Sequence, residues 1–201
     1  MFYTPETRDK SLLRHDPFKA IIAPRPIGWV TTMGKDGAIN LAPYSFFNAV
    51  ADRPPILVFS SVGVKDSLTF ARETGEFVWN MPTWDLRNEM NATSATLPRG
   101  ENEFLHAGLE MAPSNLVRPP RVAKAPVAME CKVTSIQELK DVEDKGTDYW
   151  IVLGQVVGVH IDPAYIADGV FKLAEVKPIA RCGYLADYAV VEDLFQMGRP
   201  G

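Results

Sequence analysis

The chain has 201 residues, enough for one domain or a domain with a short appendage. Hydrophobic residues at 46% and charged residues at 23% are ordinary globular usage, which excludes disordered, collagen-like and low-complexity classes. With 21 Lys and Arg against 25 Asp and Glu, a formal charge of −4, the chain lacks the electrostatic footprint of a nucleic-acid binder.

Residues 1–10 are mixed and polar, with no apolar stretch before a small-residue cleavage site. No apolar run reaches about 18 residues, so no membrane span is expected and a cytoplasmic protein is the default. Sixteen prolines and fourteen glycines favour short strands and turns over long helices. Residues 27–33, I-G-W-V-T-T-M, read as a strand rich in β-branched and aromatic side chains. Gly34-Lys35-Asp36-Gly37 follows as a hairpin turn, and residues 38–42 return. Pro54-Pro55 stops the chain, and residues 56–60, I-L-V-F-S, read as a buried strand.

A helix is expected from Asp66, capped by Asp66 or Ser67, with Leu68, Phe70 and Ala71 on its apolar face and Gly75 just past its end. Residues 77–81 read as a strand, and helices are expected around 84–94 and 101–107. The proline-rich connection 113–126 is extended by composition. Residues 128–139 and 149–161 read as two strands about a charged turn at 141–148. Gly154 and Gly158 interrupt the last strand, as bulges or bends of a curved sheet do. Many short strands with a few helices between them predict an all-β barrel with helical insertions. No linker divides the chain, so residues 1–201 are read as a single domain.

Familiar catalytic motifs are missing: no G-x-x-x-x-G-K-[ST], no G-x-G-x-x-G after a strand, no H-E-x-x-H and no G-x-S-x-G. Cys131 and Cys182 make no disulfide framework, and His15, His106 and His160 lie too far apart in sequence to suggest a zinc site. What remains is chemistry that needs few protein acids or bases, and cofactor redox fits that description. Three stretches could build a cofactor pocket. Residues 24–32 end in the hydroxyls of Thr31 and Thr32. Residues 40–48, N-L-A-P-Y-S-F-F-N, contain Pro43, which cannot donate to a ladder and is expected to lead the backbone out of regular pairing. Freed main-chain groups beside Tyr44, Ser45 and Asn48 could then read a planar heterocycle. Residues 60–67, S-S-V-G-V-K-D-S, place hydroxyls and Lys65 before a helix start, a combination that suits a phosphate. Plainer readings stay open: Ser60 and Ser61 as turn hydroxyls, Lys65 as a surface charge, Tyr44, Phe46 and Phe47 as core, and His160 as a hydrogen-bonded strand-end histidine.

The order of these tracts carries more than any one of them. P-R-P-I-G-W-V-T-T, D-G-A-I-N-L-A-P-Y-S-F-F-N, P-P-I-L-V-F-S-S, K-D-S, G-E-F-V-W-N-M, N-A-T-S, L-G-Q-V-V-G-V-H and P-I-A-R-C-G-Y occur in that order. Together they resemble the flavin reductase-like family of FMN-binding split-barrel proteins over residues 18–190. The resemblance implies a six-stranded Greek-key split barrel, a homodimer with flavin near the subunit interface, and reduction of flavin (FMN) by NADH or NADPH. Some members keep FMN as a prosthetic group, and others pass reduced flavin to a flavin-dependent monooxygenase or another acceptor. An FMN-binding electron carrier without nicotinamide reductase activity is the alternative. By the same resemblance Thr31 and Thr32 face the flavin tail, while Asn40, Ala42, Pro43, Tyr44 and Ser45 contact the ring and Asn48 lies just beyond. Ser60, Ser61, Lys65, Asp66 and Ser67 lie near the ribityl-phosphate, and Arg181 is a phosphate or nicotinamide contact. No protein residue is implied as an obligatory acid, base or nucleophile.

Overall fold

Backbone pairing begins where the turn chemistry places it. In a computed structural model describing residues 1–98 and 100–201, Gly34 N–H donates to Ala38 O at 2.8 Å, closing the predicted hairpin. The first α-helix is α1 (Phe18–Ile21), followed by strands β1 (Arg25–Pro26), β2 (Gly28–Met33), β3 (Ile39–Tyr44), β4 (Phe47–Asp52) and β5 (Pro55–Val62). Helix α2 (Asp66–Thr74) leads to β6 (Glu76–Asn80), helices α3 (Arg87–Ala92) and α4 (Glu103–His106), and the short strands β7 (Met111–Ala112) and β8 (Arg121–Val122). Two long strands follow, β9 (Val127–Lys140) and β10 (Gly146–Ile161). After them come β11 (Ile166–Ala167), β12 (Val170–Phe171), α5 (Leu173–Val176), β13 (Ile179–Arg181) and β14 (Tyr188–Val190). The fold is mostly β with few helices, as expected.

The main sheet is antiparallel, in the order β3-β2-β6-β9-β10-β5-β4. It has seven strands, where six were expected. Strand β4 carries no signal in its sequence because only Phe47 is buried and every later residue is exposed, so no alternation marks it. The two edge strands, β3 and β4, are consecutive in the chain, with only Ser45 and Phe46 between them. A sheet whose opposite edges meet across two residues must curl on itself. Inside the curl pack Val30, Phe47, Leu57, Phe59, Phe77, Cys131, Val152 and Val156, with Leu68 and Ala71 of α2. Phe47 stacks on Trp79 at 5.5 Å, and Tyr44 meets Phe59 at 4.9 Å.

Helix α2 covers the predicted residues, but its N-cap is Lys65 rather than Asp66 or Ser67, both of which lie inside the first turn. Gly75 ends it at φ 70, a left-handed conformation that glycine adopts without a Cβ penalty. Strand β2 is buried on both faces. Its Val30 faces the curl, while Trp29 faces a second core with Leu41, Leu86, Met90, Phe104 and Ile179. Trp29 Nε1 donates to Thr93 Oγ1 at 3.0 Å and ties the end of α3 to the sheet. The proline-rich connection is held by two carboxylates, Glu76 accepting from Arg118 N–H at 2.9 Å and Glu130 from three residues before it. Glu130, fully buried on β9, accepts from the N–H groups of Asn115, Leu116 and Val117 at 2.8, 2.6 and 3.0 Å. His160 Nε2 meets its Oε1 at 2.5 Å, so His160 is the hydrogen-bonded strand-end histidine the sequence suggested. Strand β10 shifts register against β9 between Leu153 and Gly154 and again between Val156 and Gly158. Both glycines are thus points of curvature. No helix among the described residues is long and apolar enough to cross a membrane.

Candidate functional site

Strand β3 is an edge, so one side of its backbone has no strand partner. Leu41 N–H points to that side and is satisfied by Glu103 Oε2 at 2.9 Å. Two residues on, by the period of a strand, Pro43 faces the same way and offers no N–H. Pro43 was expected to break the pairing; instead it stays in the ladder opposite Trp29, because an edge strand loses nothing at that position. A cleft of about 360 Å³ runs along this edge. Its walls are Asn40, Ala42, Pro43 and Tyr44 of β3, Lys65, Asp66 and Ser67 at the start of α2, the segment Thr93 to Pro98, and Glu103 of α4.

A polar network crosses its floor. With the Asn40 amide oriented to satisfy both neighbours, its oxygen accepts from Ser67 Oγ at 2.6 Å and its nitrogen donates to Glu103 Oε1 at 3.3 Å. The Tyr44 hydroxyl end is enclosed beside the hydroxyls of Ser67 and Ser61, while its ring edge reaches the cleft. Burial pushes the Tyr44 pKa up, partly offset by those two hydroxyls. Burial likewise raises the Glu103 pKa, Leu41 N–H lowers it, and the Asp66 charge adds to the rise. Lys65 is the N-cap residue of α2 in extended conformation, and its side chain makes no capping hydrogen bond. The first-turn N–H groups, the positive end of the helix dipole and a lysine therefore meet at one end of the cleft.

Seven of the expected residues come together here: Asn40, Ala42, Pro43, Tyr44, Lys65, Asp66 and Ser67. Ser45 and Arg181 line an adjoining hollow of about 290 Å³, which shares Pro43 and Ser94 with the first. The other five stand apart. Thr31 is buried, its Oγ1 accepting from Asn80 Nδ2 at 3.0 Å. Thr32 is buried opposite Asn40 in the ladder, its hydroxyl without a partner among the described residues. Asn48 is exposed on β4, its Oδ1 accepting from Ala49 N–H. Ser60 lies mid-ladder on β5 opposite Ile151, and Ser61 is buried, donating to Gly63 O at 3.3 Å. The residues missed were Thr93 to Pro98 and Glu103. Thr93 and Ser94 belong to the N-A-T-S tract, the single sequence signal for that wall. Glu103 carried none, since its place at the cleft depends on α4 packing against β3.

Three comparisons bear on this arrangement. A Bacillus cereus structure titled nitrilotriacetate monooxygenase component B superposes with a TM-score of 0.87 at 30% identity, over 98% of both chains. A putative flavin reductase with a split barrel domain from Shewanella frigidimarina NCIMB 400 shares the fold, with a TM-score of 0.84 at 20% identity over all of both chains. An uncharacterized Aquifex aeolicus (strain VF5) protein is 33% identical over 169 residues, 81% of this chain and 83% of the relative. The flavin reductase like domain itself matches residues 22–173, three quarters of the chain, and the chain therefore belongs to the flavin reductase-like family.

Proposed function

We propose that the whole chain is one FMN-binding domain, a split barrel acting as a homodimer, and that it transfers a hydride from NADH or NADPH to FMN held in the β3 cleft. The observation that carries this reading is the juxtaposition at the cleft's two ends. Lys65 and the start of α2 suit a phosphate at one end, and the proline-bearing edge of β3 suits a planar ring along the other. The residues present fit such a group. The cleft wall offers the Lys65 ammonium, the Ser67 hydroxyl and the Asn40 amide as polar contacts for its tail.

When bound, FMN supplies the redox chemistry by accepting hydride from the nicotinamide. Lys65 and Ser67 hold the phosphate end in this reading, with Asp66 fixing the local charge balance. Asn40, Ala42, Pro43, Tyr44 and Ser45 fix the ring plane, and Arg181 borders the side open to the donor. The wall from Thr93 to Pro98 keeps water from the reacting face. Orientation is the protein's contribution, and no side chain need exchange a proton for hydride to move. A flavin-dependent monooxygenase is the class of acceptor proposed for the electrons.

Anaerobic stopped-flow mixing of the FMN-loaded protein with NADH and with NADPH tests the proposal. Bleaching of the flavin absorbance by at least one donor is expected. No bleaching by either would leave the chain an electron carrier fed by another protein.

A further inference from the structure

The cleft does not end at Arg181. The hollow beside it shares Met90, Asn91, Leu185 and Tyr188 with a third groove of about 400 Å³. The three form one continuous depression leading away from Lys65. Charge changes along it. The walls near α2 carry Asp66 and Glu103 against Lys65, whereas among the described residues Arg181 is the sole charged wall of the second hollow and Arg87 that of the third. On its outer side Arg181 also borders a hollow with Asp16, Asp187 and Lys19, so in a chain of net charge −4 the guanidinium of Arg87, with no carboxylate on the described walls of its groove, is the clearer local inversion. Asp85 and Glu89, the acids beside Arg87 in sequence, are not part of the groove wall. Asp187, near Arg181, accepts from Tyr184 N–H at 3.0 Å.

Both guanidiniums are pre-ordered. Arg87 lies 4.0 Å over the Trp84 ring and donates one N–H to Trp84 O at 2.6 Å. Arg181 lies 4.6 Å over Tyr188 and donates to Leu185 O at 2.9 Å, which ties it to the loop. Arg87 keeps more of its fork unspent, and the stack lowers the entropy lost when that fork closes on an anion. Met90, Ile179 and Val190 give the groove an apolar floor, and the Asn88 and Asn91 amides lie at its rim. That combination suits an aromatic base with a polar edge.

Resting on the hydride-transfer reading above, we propose that this third groove takes the adenosine end of the dinucleotide donor and that Arg87 reads a phosphate on its 2′-oxygen, which makes NADPH the donor. In Rossmann folds a carboxylate meets the ribose hydroxyls of the unphosphorylated dinucleotide and an arginine meets the 2′-phosphate of the other, and the same charge chemistry holds on any scaffold. Among the described residues this groove has the arginine and no carboxylate.

The test is calorimetric titration of the FMN-loaded protein with adenosine 2′,5′-bisphosphate and with adenosine 5′-monophosphate. The bisphosphate is expected to bind about tenfold more tightly or better. Arg87→Gln should bring the two within about twofold, and Arg87→Lys, which keeps the charge but not the planar fork, should restore part of the difference. Equal binding of the two by the wild-type protein, or an undiminished difference in Arg87→Gln with FMN affinity retained, overturns the assignment. Flavin bleaching separates this from the parent reading. If neither donor bleaches flavin while bisphosphate binding still depends on Arg87, hydride transfer falls and the groove stands. If NADH and NADPH bleach equally and Arg87→Gln changes the KM for neither, the groove falls and hydride transfer stands.

Discussion

Lys65 occupies the N-cap position of α2, where an ammonium has no acceptor to offer the helix N–H groups and so adds its positive charge to that of the helix start. Removing the ammonium therefore acts on a ligand's phosphate more than on the helix. In Lys65→Ala, FMN affinity should fall about tenfold, the worth of one charge-assisted hydrogen bond, while riboflavin affinity stays within about twofold. Fluorescence titration with both flavins checks this, and equal losses would put the phosphate elsewhere. Glu130 is a second residue whose chemistry can be read directly. Burial opposes its ionisation most strongly, yet the N–H groups of residues 115–117 together with His160 outweigh burial and hold the carboxyl below the ordinary glutamate range. A folded-state pKa below the unfolded one means that the stabilisation is complete above the unfolded value and lost as pH falls through the folded one. Glu130→Gln turns an N–H donor toward backbone N–H groups, and at pH 7 should cost about 3 kcal/mol, roughly 8 °C in Tm. The gap between wild type and variant should narrow as the pH drops through the acid range in which Glu130 itself takes up a proton. A gap independent of pH, measured by thermal melts, would mean that ionisation of Glu130 contributes nothing.

At the scale of elements, β10 shows how local sequence sets curvature. A Cβ built at Gly154 would overlap the edge of the Phe77 ring and stand 3.2 Å from Cys131 Cβ, at the point where β10 slips register against β9. Gly154→Ala should destabilise the fold by about 1–3 kcal/mol through overpacking, read as a drop in urea midpoint. The double variant Gly154→Ala with Phe77→Leu should recover part of that loss. No recovery would mean that the glycine serves backbone conformation rather than space. The same reasoning explains what the sequence disclosed. The hairpin joining β2 and β3, the cap at Gly75 and the glycine breaks of β10 were legible because each rests on chemistry within a few residues. Helices α3 and α4 were visible but shorter than expected. Strand β4 escaped because its residues after Phe47 are exposed and show no alternation. Pro43 was misread because nothing local says that a strand will lie at an edge. At the cleft, the α2 corner and the β3 tract were legible, and Glu103 was not, since it reaches Leu41 across 62 residues of chain.

The whole molecule exposes more surface than its size warrants. A monomer of 22.3 kDa is expected to show about 9,400 Å², whereas this chain shows 12239 Å². Apolar side chains are exposed at both ends. Leu194, Phe195 and Met197 are exposed on a terminal stretch without strand or helix, and Phe2, Phe18 and Ile21 are exposed near the start. The proposed homodimer gives this apolar surface a destination, since the surplus is of the order that lasting dimer interfaces bury in total. The wild-type protein should therefore sediment at twice 22.3 kDa at micromolar concentration. Replacing Leu194 and Phe195 together by Asp should shift it toward the monomer, because two carboxylates buried without partners cost more than such an interface can absorb. The double variant should keep its far-ultraviolet circular dichroism spectrum, as neither side chain belongs to the cores inside or outside the curled sheet. A wild-type monomer at all accessible concentrations would refute the homodimer. A dimer indifferent to both substitutions would move its interface away from the C-terminal stretch.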